Sequence, residues 1–429
     1  MTEYAAIDLG ASSGRVVLGR LDGGRVTLEE LHRFPNRPVR LPDGLRWNLL
    51  HLFTEAVEAL RGRTLGGVAV DTWGVDYALL DSRRRVLGLP FHYRDERTAG
   101  AHGVGGYEVT GIQDMPINTV YQLLADDRVH DAHAIALVPD LIVYWLCGEL
   151  ANERTNASTT GLLDARTGEW AMDLIERVGL PARPFGELVD PGTLLGRARE
   201  FDAPVYTTAS HDTAAAYVAA PLRDEHAAVL SSGTWSLLGV ELPEPVFSDP
   251  GLTNERGVGG TIRLLKNVMG LWLEQECARV WGVPYERLHA AAAEASDAVV
   301  FDVDDERFLR GGDVPAMIAA GREMSHGEIV RSIYVSLAVR YREVLERLEA
   351  VTGRELHTIH VIGGGSRNTL LCQLTADVTR REVLAGPVEA TALGNVLVQA
   401  LSSLDEMREV SASSFAPVRY EPSKELLDA

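Results

Sequence analysis

One local pattern occurs twice in this chain, and the distance between its two copies restricts the folds open to it. Tyr4–Leu9 is an apolar run, Gly10-Ala11-Ser12-Ser13-Gly14 a turn of small residues, and Arg15–Leu21 a second run leading through Asp22-Gly23-Gly24 to Arg25–Leu28. Apolar runs punctuated by Gly and Ser read as strand, turn, strand, turn, strand, an antiparallel meander. Ala227–Leu230, Ser231-Ser232-Gly233-Thr234 and Trp235–Val240 repeat its first part. The two turns lie about 220 residues apart, a domain-sized interval and not a solenoid period. The repeat predicts two α/β domains of similar plan, residues 1–222 and 223–429, divided at the polar stretch Pro221–His226. A chain of 429 residues is also too long for one ordinary core.

The segments between follow the same plan. Gly67–Asp71 and Asp76–Leu80 read as strands flanking Thr72–Val75, and Leu49–Arg61, Asp140–Leu146 and Thr213–Ala220 as helices. In the second half the pattern predicts helices over Gly270–Val280 and Gly327–Val351. In the latter, Ile329, Ile333, Val335, Leu337, Val344, Leu345 and Leu348 fall mostly at helical spacing. Thr358–Ile362 reads as a buried strand running into Gly363-Gly364-Gly365.

Charge and cysteine content exclude several function classes. The chain holds 41 Lys plus Arg against 61 Asp plus Glu, a net charge of −20. That sign opposes the counterion release on which nucleic-acid and anionic-membrane binding depends. Acidity does not exclude phosphate ligands, because backbone N–H groups and bound Mg²⁺ hold phosphate without a basic surface. Cys147, Cys277 and Cys372 are odd in number and widely spaced, which argues against a disulfide framework and for a reducing cytoplasm. Glu3 and Asp8 stand where a signal peptide would carry basic residues, and Pro139 and Asp140 interrupt the most apolar later stretch.

Three Gly-rich turns can carry chemistry: Gly10–Gly14, Ser231–Thr234 and Gly363–Gly365. Hairpin turns with small hydroxyl residues offer N–H and O–H donors to phosphate, and a triple glycine at a strand end lets a ligand approach the backbone. Any one of them alone is only a turn; their duplication points to a nucleotide. No G-x-x-x-x-G-K-[ST] occurs, so the P-loop route is absent. Asp8 ends the strand entering the first turn, where a carboxylate can order Mg²⁺ directly or through water, or else serve the turn by an Asx hydrogen bond. Asp212, in Ser210-His211-Asp212-Thr213, precedes an alanine-rich helix and can be its N-cap, or a general base kept ionised by the helix terminus. Gly10–Gly14 also satisfies the G-x-S-x-G pattern of a hydrolase elbow, but a strand follows it where an elbow needs a helix. His130 with His133, and His357 with His360, have ligand-like spacing without a third ligand nearby.

Nine stretches taken in order resemble the FGGY sugar kinases along essentially the whole chain: Ala6–Arg15, Asp71–Tyr77, Tyr93–Thr98, Ile117–Leu123, Glu153–Thr160, Ser210–Thr213, Ser231–Ser236, Leu264–Trp272 and Gly386–Thr391. The resemblance implies an actin-like, ribonuclease H-like pair of duplicated α/β domains with a nucleotide and sugar cleft between them. It implies that Ala11, Ser12, Ser13, Gly14 and Arg15 contact ATP phosphates, as does Thr234, while Gln275, Gly364 and Gly365 serve the nucleotide. On the sugar side it implies Gly74, His211, Asp212, Thr213 and Asn267, with Asp212 as general base and Asp8 organising Mg²⁺. The implied reaction is ATP-dependent phosphorylation of a ketose, L-rhamnulose at its 1-hydroxyl, with L-fuculose, D-xylulose and glycerol as alternative acceptors. The partners are then small molecules, and the chain a monomer or small homo-oligomer. Gly161 follows Thr160 where the family pattern has a polar residue, and the span from Tyr93 to Ser210 is short for the family. A serine hydrolase and a non-catalytic sugar sensor are the remaining readings; the sensor lacks a helix-turn-helix before the first strand.

Overall fold

The computed structural model describes residues 2–309 and 311–423. It divides into two compact units, each assembled from separated stretches of chain. The first comprises Met1–Ala219, Glu241–Leu264 and Ala390–Ser414; the second comprises Ala220–Val240, Leu265–Glu389 and Phe415–Ala429. A single cut at 222/223 therefore leaves two stretches of the second half in the first unit. The physical reason is visible in helix Ala390–Ala400, whose Gly394 lies so close to helix Asp212–Ala219 that a Cβ there would overlap the Ala215 carbonyl. Helix Asp212–Ala219 meets it with small residues, which permit the close approach. Asn395 and Gln399 of the same helix donate to Ala69 and Ala5 carbonyls of the sheet at 3.3 and 3.0 Å.

The opening meander forms as its pattern predicts. Strand Thr2–Leu9 pairs antiparallel with Ser13–Asp22, which pairs with Arg25–Pro35, and strand Gly67–Thr72 lies parallel to Thr2–Leu9 on its other side. Pro204–Tyr206 and Leu194–Arg197 complete the six-stranded sheet. Helices Leu49–Leu60 and Val138–Cys147 cover it with Leu52, Leu60, Leu141 and Ile142, all fully buried with Ile7, Leu9 and Val16. Truncating one of these leucines to alanine costs about 2–5 kcal/mol, a large share of a domain's net stability.

The second unit repeats the order. Strand Ala227–Ser232 pairs antiparallel with Trp235–Leu242 and parallel with Thr358–Ile362, beyond which lie Glu382–Ala385 and Val418–Tyr420; Ile262–Met269 flanks Trp235–Leu242. Helix His326–Thr352 starts at a capping box in which Ser325 and Glu328 satisfy each other's backbone N–H, and ends at left-handed Gly353, as helix-terminus chemistry requires. The expected helix over Gly270–Val280 begins two residues later, at Trp272. Strand Ile262–Met269 runs up to Gly270, where a Cβ would strike Ser236 and Trp235. No helix among the described residues is long and apolar enough to cross a membrane.

Candidate active site

Parallel register in the first unit brings two carboxylates side by side. Asp8, next to last in strand Thr2–Leu9, lies directly opposite Asp71 of strand Gly67–Thr72. The next residue, Thr72, donates its N–H to Ser210 O at 2.9 Å and bridges to His211, which brings Asp212 to the same sheet edge. Carboxyl ends of parallel strands are where α/β sheets place ligands. Arg15, across the hairpin from Asp8, donates from Nε to Asp8 Oδ2 at 2.8 Å, with Nη2 at 2.7 Å. Asp71 is fully buried; Asn395 donates to its Oδ2 at 2.5 Å, and Oδ1 has no hydrogen-bond partner among the described residues. Burial, then repulsion from Asp8, holds the Asp71 carboxyl well above the usual range. Asp212 is also raised, by burial first, with repulsion from Asp8 adding to it and His211 opposing.

Asp212 is the first residue of its helix, and its side chain does not make the bond to the second or third helical N–H that defines an N-cap. Oδ1 instead accepts from the adjacent Thr213 N–H at 2.6 Å and Thr213 Oγ1 at 3.1 Å. The side chain keeps 32 % of its exposure, so the carboxylate remains reachable. His211 Nε2 lies 3.5 Å away.

The loop holding Gly74 is kept in place by two buried carboxylate hubs. Asp76 Oδ2 accepts from Trp47 Nε1 at 2.5 Å, Trp73 Nε1 at 2.9 Å and Tyr93 N at 3.2 Å, and Oδ1 from Gln122 Nε2 at 2.8 Å. Burial outweighs these donors and pushes its pKa up to about 6. Glu153 accepts from the N–H and hydroxyl of both Thr155 and Ser210, which anchors the segment just before His211. Asn156 ties the two together by donating to Trp73 O and Ser210 O. Gly74 itself touches Thr159: a Cβ there would sit 2.8 Å from its hydroxyl. Val75 is left-handed at φ 67, an outlier for a β-branched residue. Thr159 Oγ1 accepts from its N–H at 3.0 Å and Thr119 Oγ1 donates to its carbonyl at 2.6 Å. Strain held by hydrogen bonds on both sides marks a loop whose geometry is imposed.

Among the phosphate-turn candidates of the first unit, Ala11 and Ser13 are half-buried and Ser12 exposed, in a turn closed by Gly10 N–H donating to Ser13 O at 2.9 Å. Gly14 has a packing reason to be glycine, since a Cβ would strike Phe34 and Leu9. Antiparallel strands flank this turn, so it is not a nucleophile elbow.

The second unit brings its own candidates together. Gln275 Nε2 donates to Thr234 Oγ1 at 3.3 Å, and Leu271 and Trp272 N–H groups donate to Gly233 and Thr234 carbonyls, so the hairpin turn sits on the start of helix Trp272–Trp281. Gly363 is left-handed at φ 82 with its N–H on Pro387 O at 3.2 Å. Gly365 packs against Ser232, where a Cβ would overlap the hydroxyl, whereas a Cβ on Gly364 would meet nothing within 4 Å. Gly364 is thus open, while Gly365 is closed in on the side that faces Ser232. Asn267 is half-buried on strand Ile262–Met269, whose residues from Leu265 onward belong to this unit.

For a metal, no group of three or more His, Cys, Asp or Glu converges among the described residues, and neither histidine pair gains a third ligand. Asp8 together with the unpartnered Oδ1 of Asp71 nonetheless fits Mg²⁺, which takes one or two carboxylates and completes its shell with water and phosphate. Asp71, Glu153 and Asn395 support the site without having been singled out as candidate site residues by their local sequence. The one local signal is Asp71, an acid ending the apolar run Gly67–Val70.

Models of the N- and C-terminal domains of the FGGY family of carbohydrate kinases match residues 4–203 and 228–403. The chain is 39 % identical to a rhamnulokinase of Bacteroides thetaiotaomicron, covering 98 % of this chain and 96 % of that one. It is 41 % identical to a rhamnulokinase of Enterococcus faecalis, covering 96 % and 91 %. Among solved structures, it is similar to ligand-bound xylulose kinase from Lactobacillus acidophilus, with a TM-score of 0.81 at 13 % identity over 100 % of this chain and 95 % of that one. Plasmodium falciparum glycerol kinase with ADP gives a TM-score of 0.78 at 15 % identity over 100 % and 96 %. At such identities these structures speak to the fold.

Proposed function

Because this chain belongs to the FGGY family of carbohydrate kinases, we propose that it transfers the γ-phosphoryl group of ATP to the 1-hydroxyl of L-rhamnulose, giving L-rhamnulose 1-phosphate and ADP. The observation that carries the choice of sugar is the similarity, over nearly the full length, to proteins named rhamnulokinase. Asp212 accepts the proton of the attacking hydroxyl; its raised pKa makes it a stronger base than a surface carboxylate. Gly74, His211, Thr213 and Asn267 are the residues assigned to the sugar. Ala11–Arg15 and Thr234 contact the phosphates, with Gln275, Gly364 and Gly365 on the nucleotide. Asp8, with Asp71 beside it, holds Mg²⁺, which when bound neutralises phosphate charge. Phosphoryl transfer asks for positioning and charge stabilisation and little covalent chemistry of the protein, which suits a site built from backbone turns and two or three carboxylates.

The same reading places the reaction in the cytoplasm, with the chain a monomer or small homo-oligomer. The free cysteines support that compartment, two of them buried thiols pushed up to about 12 and so unreactive. The test is ATP consumption across L-rhamnulose, L-fuculose, D-xylulose and glycerol. L-rhamnulose is expected to give the highest kcat/KM. A higher value for another acceptor reassigns the sugar, and no acceptor-dependent ADP from any of them refutes the kinase reading.

A further inference from the structure

Next to Asp212, in the same unit, lie two charged side chains to which the reaction as described gives no role. Arg263 is fully buried, and a buried guanidinium needs a counter-charge. Its Nη2 lies 3.0 Å from Glu255 Oε2, and its Nε donates to Arg256 O at 3.1 Å. Nη2 also donates to His211 Nδ1 at 3.2 Å. Glu255 is itself buried; burial raises its carboxyl, but the attraction of Arg263 and His211 prevails and holds it below the usual range. Glu255 Oε2 is also 3.2 Å from the same histidine nitrogen and, as in its approach to Arg263 Nη2, lies outside good hydrogen-bonding direction.

An arginine can only donate, so the nitrogen it bonds must accept. In the neutral ring the proton is then on Nε2, the nitrogen facing Asp212. We propose that Glu255, by holding Arg263 against Nδ1, is a positioning residue that fixes His211 as an Nε2–H donor at the sugar side of Asp212. The inference rests on the kinase reading for the identity of the ligand, and on geometry alone for the state of the ring. Glu255 and Arg263 approach from the stretch Thr253–Arg263 and His211 from the segment before the Asp212 helix, so the ring is gripped from a second part of the chain. A donor with one defined hydrogen direction discriminates hydroxyl geometry better than a ring free to exchange tautomers.

The test uses the full chain with L-rhamnulose and ATP. Glu255→Gln keeps the shape and removes the charge that holds Arg263. It is expected to raise the sugar KM at least tenfold while the ATP KM stays within twofold, and ¹⁵N spectra of labelled histidine should show the wild-type Nε2–H form replaced by a mixture. Glu255→Asp, which restores the charge on a shorter stem, should recover part of the sugar KM; if the Gln variant does not fold, intermediate values in the Asp variant carry the test. A folded Glu255→Gln protein with wild-type sugar KM and an unchanged ring would overturn the proposal, as would wild-type values in Glu255→Asp where that variant stands in. If the wild-type chain turns over no ketose, the kinase reading fails by itself. The ring spectra of unliganded wild type and variant then still decide whether Glu255 sets the tautomer.

Discussion

The two hairpins that open the two sheets share a backbone and differ in chemistry. Asp8 stands two residues before Gly10, and Ser231 two residues before Gly233; each faces a parallel strand, Asp8 beside Asp71 and Ser231 beside Ile362. Across the hairpin Asp8 meets Arg15, whereas Ser231 meets Leu237. The same frame therefore carries a pair of carboxylates and a guanidinium in the first unit, and a hydroxyl among apolar residues in the second. Charge is concentrated at the first turn, while the second offers only neutral donors and open glycine. A fold can be duplicated without duplicating its chemistry, because register fixes which positions meet and side chains decide what happens there.

The strongest way to break the comparison is to remove charge from the first unit alone. Asp212→Asn keeps the size of the side chain and its acceptor for Thr213, so it is expected to fold and to bind ATP as the wild type does. It should lose kcat by about 10²–10⁴-fold, the usual worth of a positioned general base. Steady-state kinetics beside calorimetric ATP binding checks this; near-normal kcat in the folded variant would send the search for the base elsewhere.

The converse change is steric and confined to the second unit. In Gly365→Ala the new methyl would overlap Ser232, so the turn has to shift. Overpacking of this kind costs about 1–3 kcal/mol, and nucleotide affinity is expected to fall about tenfold while sugar affinity holds within twofold. Equal losses for both ligands would show that the division of labour between the units is wrong.

A third measurement reads the buried charge of the first unit through pH. The Asp76 pKa rises on folding from 3.8 to about 6, so the native state binds the proton more tightly than the unfolded chain. Its contribution is fully present below about pH 4 and is lost as pH rises through 6. Linkage gives a loss of about 1.4 kcal/mol between pH 5 and pH 8. Denaturant unfolding should therefore show the advantage of wild type over Asp76→Asn shrinking by about that amount across the interval; a pH-independent difference would mean that Asp76 does not titrate there.

The smallest effect concerns strain. Val75→Gly removes a left-handed conformation costing about 1–3 kcal/mol for a non-glycine residue and adds about 0.5–1 kcal/mol of unfolded-state entropy. Melting temperature should hold or rise slightly, while the freed loop lets Gly74 wander and raises the sugar KM about threefold. A rise in stability with no change in KM would make the strain incidental to binding.

Much of this molecule was legible before folding. The Gly/Ser turns between apolar runs placed both hairpins, the 3.6-residue periodicity placed helix His326–Thr352, and motif order brought forward Asp8, Asp212 and the glycine turns as candidates. These signals survive because they are local: a turn needs only its own φ angles, and an amphipathic helix only its own spacing. What the tertiary structure decided is which distant residues meet. Asp71 becomes a partner of Asp8 through parallel register, and Asn395 reaches it from helix Ala390–Ala400 because Gly394 lets that helix close on Asp212–Ala219. Glu153 fastens Ser210 across 57 residues, and Arg263, held by Glu255, grips His211 across 52. Nothing in the spacing of these residues announces the meetings. The energy that makes them matter, the cost of a buried charge without a partner, exists only once the core has excluded water around it.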